Sequence, residues 1–361
     1  MQLIKVPRFP MRLSAYTFGH FYFECMANFF LIAVMGPHLS SQQHMIQTLA
    51  IYNFCDYGLQ LLIGLFCDVI HRNHYCAAVG ALLFILGYFC AHTPLLLAGI
   101  VGLGAACIHV SLGRQVLLDR PHLYAPLAPF VASGSFGVFL GRQAAFAHYD
   151  ISWPLLAGAV LIMVFLLAVG ATETTWNISA ERANATRQLR IDKNFFLAVP
   201  ILVLAIIAQS FLFAILPLTQ SPEAALWAAA IAILLGKALG GLCADRFGYQ
   251  RTVAISSLIA VLCAGFAPSH IAVELIFLFA INIPAATVIV RLVRRLQPAV
   301  GAGFGLYKIF HLVGFFPMLF FSTAQLASPV LLILVTFLVG SLLCLEAKIG
   351  LSNDFCRLTQ K

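Results

Sequence analysis

His20, Glu24 and Asn28 recur at four-residue intervals inside the apolar run "FGHFYFECMANFFLIAV", which places them on one stripe of one helix. Asn53, Asp56 and Gln60 make a second such stripe further along. A carboxyl group held away from water can take up and release a proton, so Glu24 and Asp56, with His20 beside Glu24, are candidates for proton coupling. Cations answer them later in the chain. Lys237 and Lys308 interrupt apolar runs, His311 follows Lys308 on nearly the same face, and Arg142 stands in a further run. Lys and Arg are the side chains that hold carboxylates and phosphates, so Lys308, Lys237, Arg142 and His311 are candidate binding groups for an anion, joined by Asn28, Gln60 and His109. Each has a structural alternative. A carboxylate can pin helices together, His109 can serve as a hydrogen-bonded packing residue, Lys237 can snorkel toward the membrane surface or pair with a carboxylate, and Arg114 can snorkel at the end of its run.

These groups are conspicuous because of what surrounds them. The chain of 361 residues is 61% hydrophobic and only 9% charged, with the charges gathered between long apolar segments. That pattern belongs to a polytopic membrane protein. A charged side chain at bilayer depth costs about 2.5–3.5 kcal/mol on insertion scales, so one that persists there is a functional candidate by default. The ten cysteines are dispersed, with no C-x-x-C pair, and imply neither disulfides nor a metal site.

Segments long enough to cross a bilayer as helices, each roughly 17–25 residues, fall near 14–36, 44–66, 75–92, 95–116, 127–147, 152–171, 195–217, 223–243, 252–268, 271–293, 300–321 and 328–347. The reading is an all-α membrane protein of twelve spans. The basic start at Met1–Arg12 leads straight into the first of them, which reads as a span and not as a cleavable leader. With both termini cytoplasmic, the inside segments hold Arg72, Arg120, Arg182, Arg187, Arg190, Lys193, Arg246, Arg251, Arg294, Arg295 and Lys348, together with the terminal cations. The outside loops hold no Lys or Arg, so the span count and the orientation support each other. The net charge of +8 is thereby assigned to loops facing lipid headgroups, and a nucleic-acid partner is excluded.

The longest polar stretch, 173–194, divides an N-terminal half (1–172) from a C-terminal half (195–361) and reads as a cytoplasmic linker. Its two N-x-[ST] matches, at Asn177 and Asn184, are taken as chance on that side of the membrane. Gly64 and Asp68 in "GLFCDVIHRNH" return as Gly241 and Asp245 in "GLCADRFGYQR" at one offset of 177 residues. Each copy ends an even-numbered span, the second and the eighth, so six helices have been repeated in parallel. Gly134, Gly137 and Gly141 are spaced for close helix approach, expected at the interface of the halves, and Pro284 and Pro317 read as kinks.

Two six-helix halves, each with Gly-x-x-x-Asp after its second helix, resemble the major facilitator superfamily. The downstream copy is complete through Arg246; upstream, Val69 stands in the arginine's place and Arg72 arrives later. The resemblance implies two pseudo-symmetric six-helix bundles and a gate built on Gly64, Asp68, Arg72, Gly241, Asp245 and Arg246, whose charge-assisted bonds break as the halves rock. "GHFYFE", "GLGAACIH", "ASGSFGVFLG", "LGKALGGLCADRFG" and "GAGFGLYKIFHLVGFFP", in that order, are similar to the fosmidomycin-resistance type of exporter, though Val110 and Arg142 depart from that pattern.

The function these observations predict is secondary active transport of a small organic solute, anionic or zwitterionic, by alternating access and coupled to protons. Three readings stay open beside it: an exporter of amphipathic compounds, suggested by Tyr16, Phe18, Phe21, Tyr22 and Phe23 in the first span, and a membrane enzyme or a receptor on the same bundle. No Walker A loop, H-E-x-x-H or G-x-S-x-G occurs. The expected partners are the solute, protons and membrane lipid; no cofactor and no metal are expected, and the chain is expected to act as a monomer in the cell membrane.

Overall fold

A computed structural model describes residues 9–171, 193–215, 223–267, 269–319 and 328–349. The linker and its two N-x-[ST] matches lie outside the described residues, apart from the helix start at Lys193. The described residues are helical throughout their ordered elements.

In chain order the helices are α1 (Phe9–Phe29), α2 (Gln42–Asn53), α3 (Gln60–Ile70), α4 (Asn73–Tyr88), α5 (Pro94–Asp119), α6 (Leu127–Phe146), α7 (Ser152–Ala171), α8 (Lys193–Ala214), α9 (Glu223–Phe247), α10 (Tyr249–Ala264), α11 (Ile271–Asn282), α12 (Ala285–Arg295), α13 (Val300–Phe315) and α14 (Pro329–Lys348). Two spans are each made of two helices. α2 and α3 are joined by a π-helical turn at Phe54–Gly58, and α11 and α12 meet at Pro284, which caps α12 and cannot donate to the turn before it. Counted this way, the described residues form twelve helical spans. Eight are long and apolar enough to cross a bilayer, among them Gln42–Ile70 and Ile271–Arg295 taken whole. Asn73–Tyr88, Tyr249–Ala264 and Val300–Phe315 are shorter apolar helices, and α6 completes the set. Pro317 lies in the 3-10 turn Phe316–Leu319 that ends α13.

The chain forms two compact units. The first comprises Met1–Asp119, Ser133–Gln188 and Pro298–Gly305; the second comprises Arg120–Ala132, Leu189–Gln297 and Leu306–Lys361. In the first, glycines set how closely helices approach. A Cβ at Gly137 would run into the carbonyl oxygen of Phe21, and one at Gly141 into that of Cys25, so α6 lies with its backbone against α1. These glycines therefore pack α6 inside the first unit, where the sequence had suggested an interface between halves. Gly102 on α5 does the same for the π turn, since a Cβ there would meet Tyr52 O, Cys55 and Asp56 N.

Because the obstacle at Gly141 is backbone and cannot rotate away, Gly141→Val is expected to destabilise the purified protein by about 1–3 kcal/mol, as overpacking does. Gly36, with nothing within 4 Å of its Cβ position, supplies the control. A thermal-unfolding midpoint unchanged by Gly141→Val, or lowered equally by Gly36→Ala, contradicts the close-approach role.

Candidate functional site: a buried carboxylate and histidine chain

Asp56 sits in the π turn and is 1% exposed; Gln60, four residues on, is fully buried. The wider turn turns the preceding residues off the stripe, so Asn53 does not join them and instead donates Nδ2 to Leu49 O at 2.9 Å. Gln60 Nε2 donates to Asp56 Oδ1 at 3.0 Å. Both face α5, where the small side of Gly102 has let the π turn approach, and there they meet His109.

His109 is the centre of the site. Its Nδ1 lies 3.0 Å from Asp56 Oδ1 and 3.1 Å from Gln60 Nε2, while its Nε2 lies 2.5 Å from Glu24 Oε1. His20 Nε2 is 3.8 Å from the same Glu24 oxygen, and the His20 ring meets the His109 ring edge-on at 4.8 Å. Carboxylate, imidazole and carboxylate thus form one chain across three spans, with both ring nitrogens engaged. Two ionised carboxylates demand an imidazolium between them; any neutral imidazole leaves a proton on a carboxyl. His109, which the sequence weighed as a packing residue, is where the two predicted stripes converge.

Asn28 continues the chain one turn further along α1. Its Nδ2 donates to Glu24 O at 3.0 Å and its Oδ1 accepts from Arg142 Nε at 3.1 Å, which holds the exposed guanidinium of α6 next to the Glu24 segment. A cation so oriented can receive an anionic group. His20, Glu24 and His109 are also the described residues whose donor atoms converge closely enough to hold a metal ion.

Lys237, Lys308 and His311 belong to the second unit and are half-buried. Lys237 lies on α9 between Gly236 and Gly240, which rest against the α11 backbone at Phe279 and on Ile283 O. The His311 ring stacks on Tyr307 at 5.9 Å and meets Phe315 edge-on at 5.1 Å, and its carbonyl accepts from Ser210 Oγ.

The gating motif has an unforeseen partner. Asp68 accepts from the backbone N–H of Gly301 and Ala302, in the first turn of α13, at 2.8 and 2.9 Å, where a carboxylate meets both free donors and the helix dipole. Asp245 does likewise with Tyr124 N and Ala125 N at 2.9 and 2.8 Å, just before α6. Gly64 and Gly241 clear the way, since a Cβ on either would strike Gly301 O or Tyr124 O. The arginine on Asp68, however, is Arg114, with Nε at 2.7 Å, Nη1 on Asn73 Oδ1 at 3.0 Å and only 2% exposure. It does not snorkel, because Asp68 and Asn73 accept from it and compensate it better than the surface would. Arg72 lies over the Tyr75 ring and Arg246 over Phe247, while Val69, in the motif arginine's place, is 78% exposed.

The second unit repeats the buried arginine. Arg291 on α12 stands 177 residues after Arg114, the offset of the Gly-x-x-x-Asp motif, but it pairs with Glu346 of α14, with Nε 3.0 Å from Oε1 and 3.1 Å from Oε2. Arg295 joins at 3.4 Å. The orientation count placed Arg295 among loop cations; it is 8% exposed. The 177-residue offset is the sequence signal that relates Arg291 to Arg114.

No protein-family model and no curated protein matches the chain. Solved structures do. A point variant of the E. coli fucose:proton symporter FucP aligns over 95% of this chain and 99% of its own with a TM-score of 0.61, and FucP in the outward conformation, titled a major facilitator superfamily transporter, aligns over 96% and 99% with 0.63. The fold is the major facilitator fold. At 14% identity the likeness speaks for fold alone. Within the major facilitator fold, the apolar helices make this a multi-pass membrane architecture, and its solved neighbours are transporters.

Proposed function

We propose that the chain is a secondary active transporter that moves a small organic anion or zwitterion by alternating access, driven by protons, with both termini cytoplasmic. The observation that carries this reading is the chain of Glu24, His109 and Asp56, in which three proton-holding groups are hydrogen-bonded in series inside the helix bundle. FucP is a fucose:proton symporter, which adds support for proton coupling. Arg142, held by Asn28, and Lys308 with Lys237 supply positive charge for the solute; Asp68 and Asp245 grip helix starts that a gate would release.

The test is reconstitution. Proteoliposomes with an imposed pH gradient should accumulate at least one member of a panel of labelled organic anions, zwitterions and L-fucose. Uptake equal to empty vesicles for the whole panel, by protein that remains helical and monodisperse, defeats the transport reading. Lys308→Ala is expected to weaken binding of the accumulated anion by on the order of 1.5–3 kcal/mol, the worth of a hydrogen bond to a charged group, and Lys237→Ala by less. Calorimetry on both variants checks it: unchanged affinity in each leaves the lysines as structural counter-ions.

A further inference from the structure

We propose that His20, Glu24 and His109 form a binding site for a divalent first-row transition cation, with Asp56 orienting His109 behind it. The inference deepens the proposed function, assigning the buried site of that transporter a second ligand, and it rests on that reading only for its transport consequence. The donor set is two imidazole nitrogens and one carboxylate oxygen, which suits Zn²⁺, Co²⁺ or Ni²⁺ better than the oxygen-seeking Mg²⁺ and Ca²⁺. At bond lengths of about 2.0–2.2 Å, tetrahedral donors stand roughly 3.4 Å apart. Here Glu24 Oε1 is 2.5 Å from His109 Nε2 and 3.8 Å from His20 Nε2, and all three donors lie within 4.8 Å of one another. Side-chain movements of about 1 Å bring the set to a metal's spacing, and the cation then replaces the proton between Glu24 and His109.

What distinguishes the site from a chance meeting of ligands is its backing. His109 turns its other nitrogen to Asp56, and Gln60 in turn bonds the same Asp56 oxygen, so the ring is held with Nε2 facing the donors. A carboxylate behind a histidine fixes its tautomer and raises its basicity as a ligand. Three ligands leave a fourth position open, as in sites where a metal meets a small molecule. Gly134 makes room for the His20 ring, where any Cβ would collide with it.

The experiment uses the full chain, purified in detergent, stripped with chelator and titrated with Co²⁺ read by its visible d–d absorption and with Zn²⁺ by calorimetry. One equivalent should bind, with an intense low-coordinate Co²⁺ spectrum. His20→Ala should remove that spectrum, His20→Cys should restore a site with a thiolate-to-cobalt band, and Asp56→Asn should weaken binding 10–100-fold while keeping the stoichiometry. A spectrum that stays that of hexaaqua Co²⁺, or one that survives His20→Ala, overturns the proposal. Binding needs no gradient, so its failure leaves the transport reading standing; binding by a protein that accumulates nothing defeats transport and spares the site.

Discussion

Glu24→Gln is expected to abolish gradient-driven accumulation while exchange of labelled for unlabelled solute remains measurable. Exchange requires the solute to cross with no net proton movement, whereas accumulation needs a group that loads on one side and unloads on the other. Glutamine keeps the shape and one hydrogen-bonding oxygen toward His109 but cannot carry the proton. Because His109 and Asp56 lie in the same chain, at 2.5 and 3.0 Å along it, the loss is not confined to one carboxyl. Asp56→Asn should therefore reduce accumulation as well, by a smaller factor, since Glu24 and His109 keep their contact. Gln60 adds a check on the linkage. Its Oε1 is buried without a hydrogen-bond partner, so the amide can turn over and accept from His109 Nδ1 when that nitrogen carries a proton. Gln60→Leu removes that accommodation and should slow accumulation without abolishing it. Accumulation at the parent rate in Glu24→Gln takes Glu24 out of the coupling step.

The twelve spans were legible because lipid imposes a length and a composition on each, and the break at Pro284 because proline lacks the N–H that a continuing helix needs. The π turn at Phe54–Gly58 was not, since no residue type marks it, and it is what separated Asn53 from Asp56. The stripes on the first and second spans were visible as spacing; their convergence on His109 was not. Convergence depends on which helices touch, and that is fixed by Gly102, Gly134 and Gly137, which in sequence say only that something comes close. The gate shows the opposite failure. Arg72 stands near Asp68 along the chain, yet Arg114, some 46 residues away, is the one that reaches it. Nearness in sequence stood in for nearness in space, although the 177-residue repeat offered a better guide by pairing Arg114 with Arg291.

That second arginine carries the largest stability effect expected outside the site. Glu346 is fully buried and faces two guanidinium groups, Arg291 at 5% and Arg295 at 8% exposure. Breaking a buried ion pair by removing one partner costs about 3–5 kcal/mol, because the charge left behind is neither solvated nor paired. The two removals are unequal here. Arg291→Ala leaves Glu346 with Arg295, whose Nη2 is 3.4 Å away. Glu346→Ala leaves two neighbouring cations facing each other, with the Tyr249 ring, 4.9 Å under Arg291, and the Ile349 carbonyl as poor substitutes for a carboxylate. Glu346→Ala should therefore fall at the upper end of that range and Arg291→Ala at or below its lower end. Thermal unfolding of the two variants in the same detergent gives the order directly. The triple variant Arg291→Met, Arg295→Met and Glu346→Leu should recover most of the loss, since replacing all three charges by packed apolar groups removes the desolvation cost together with the attraction. If Arg291→Ala proves the more damaging of the single changes, Arg295 does not share the charge of Glu346, and the site is a simple pair whose arginine is its anchor.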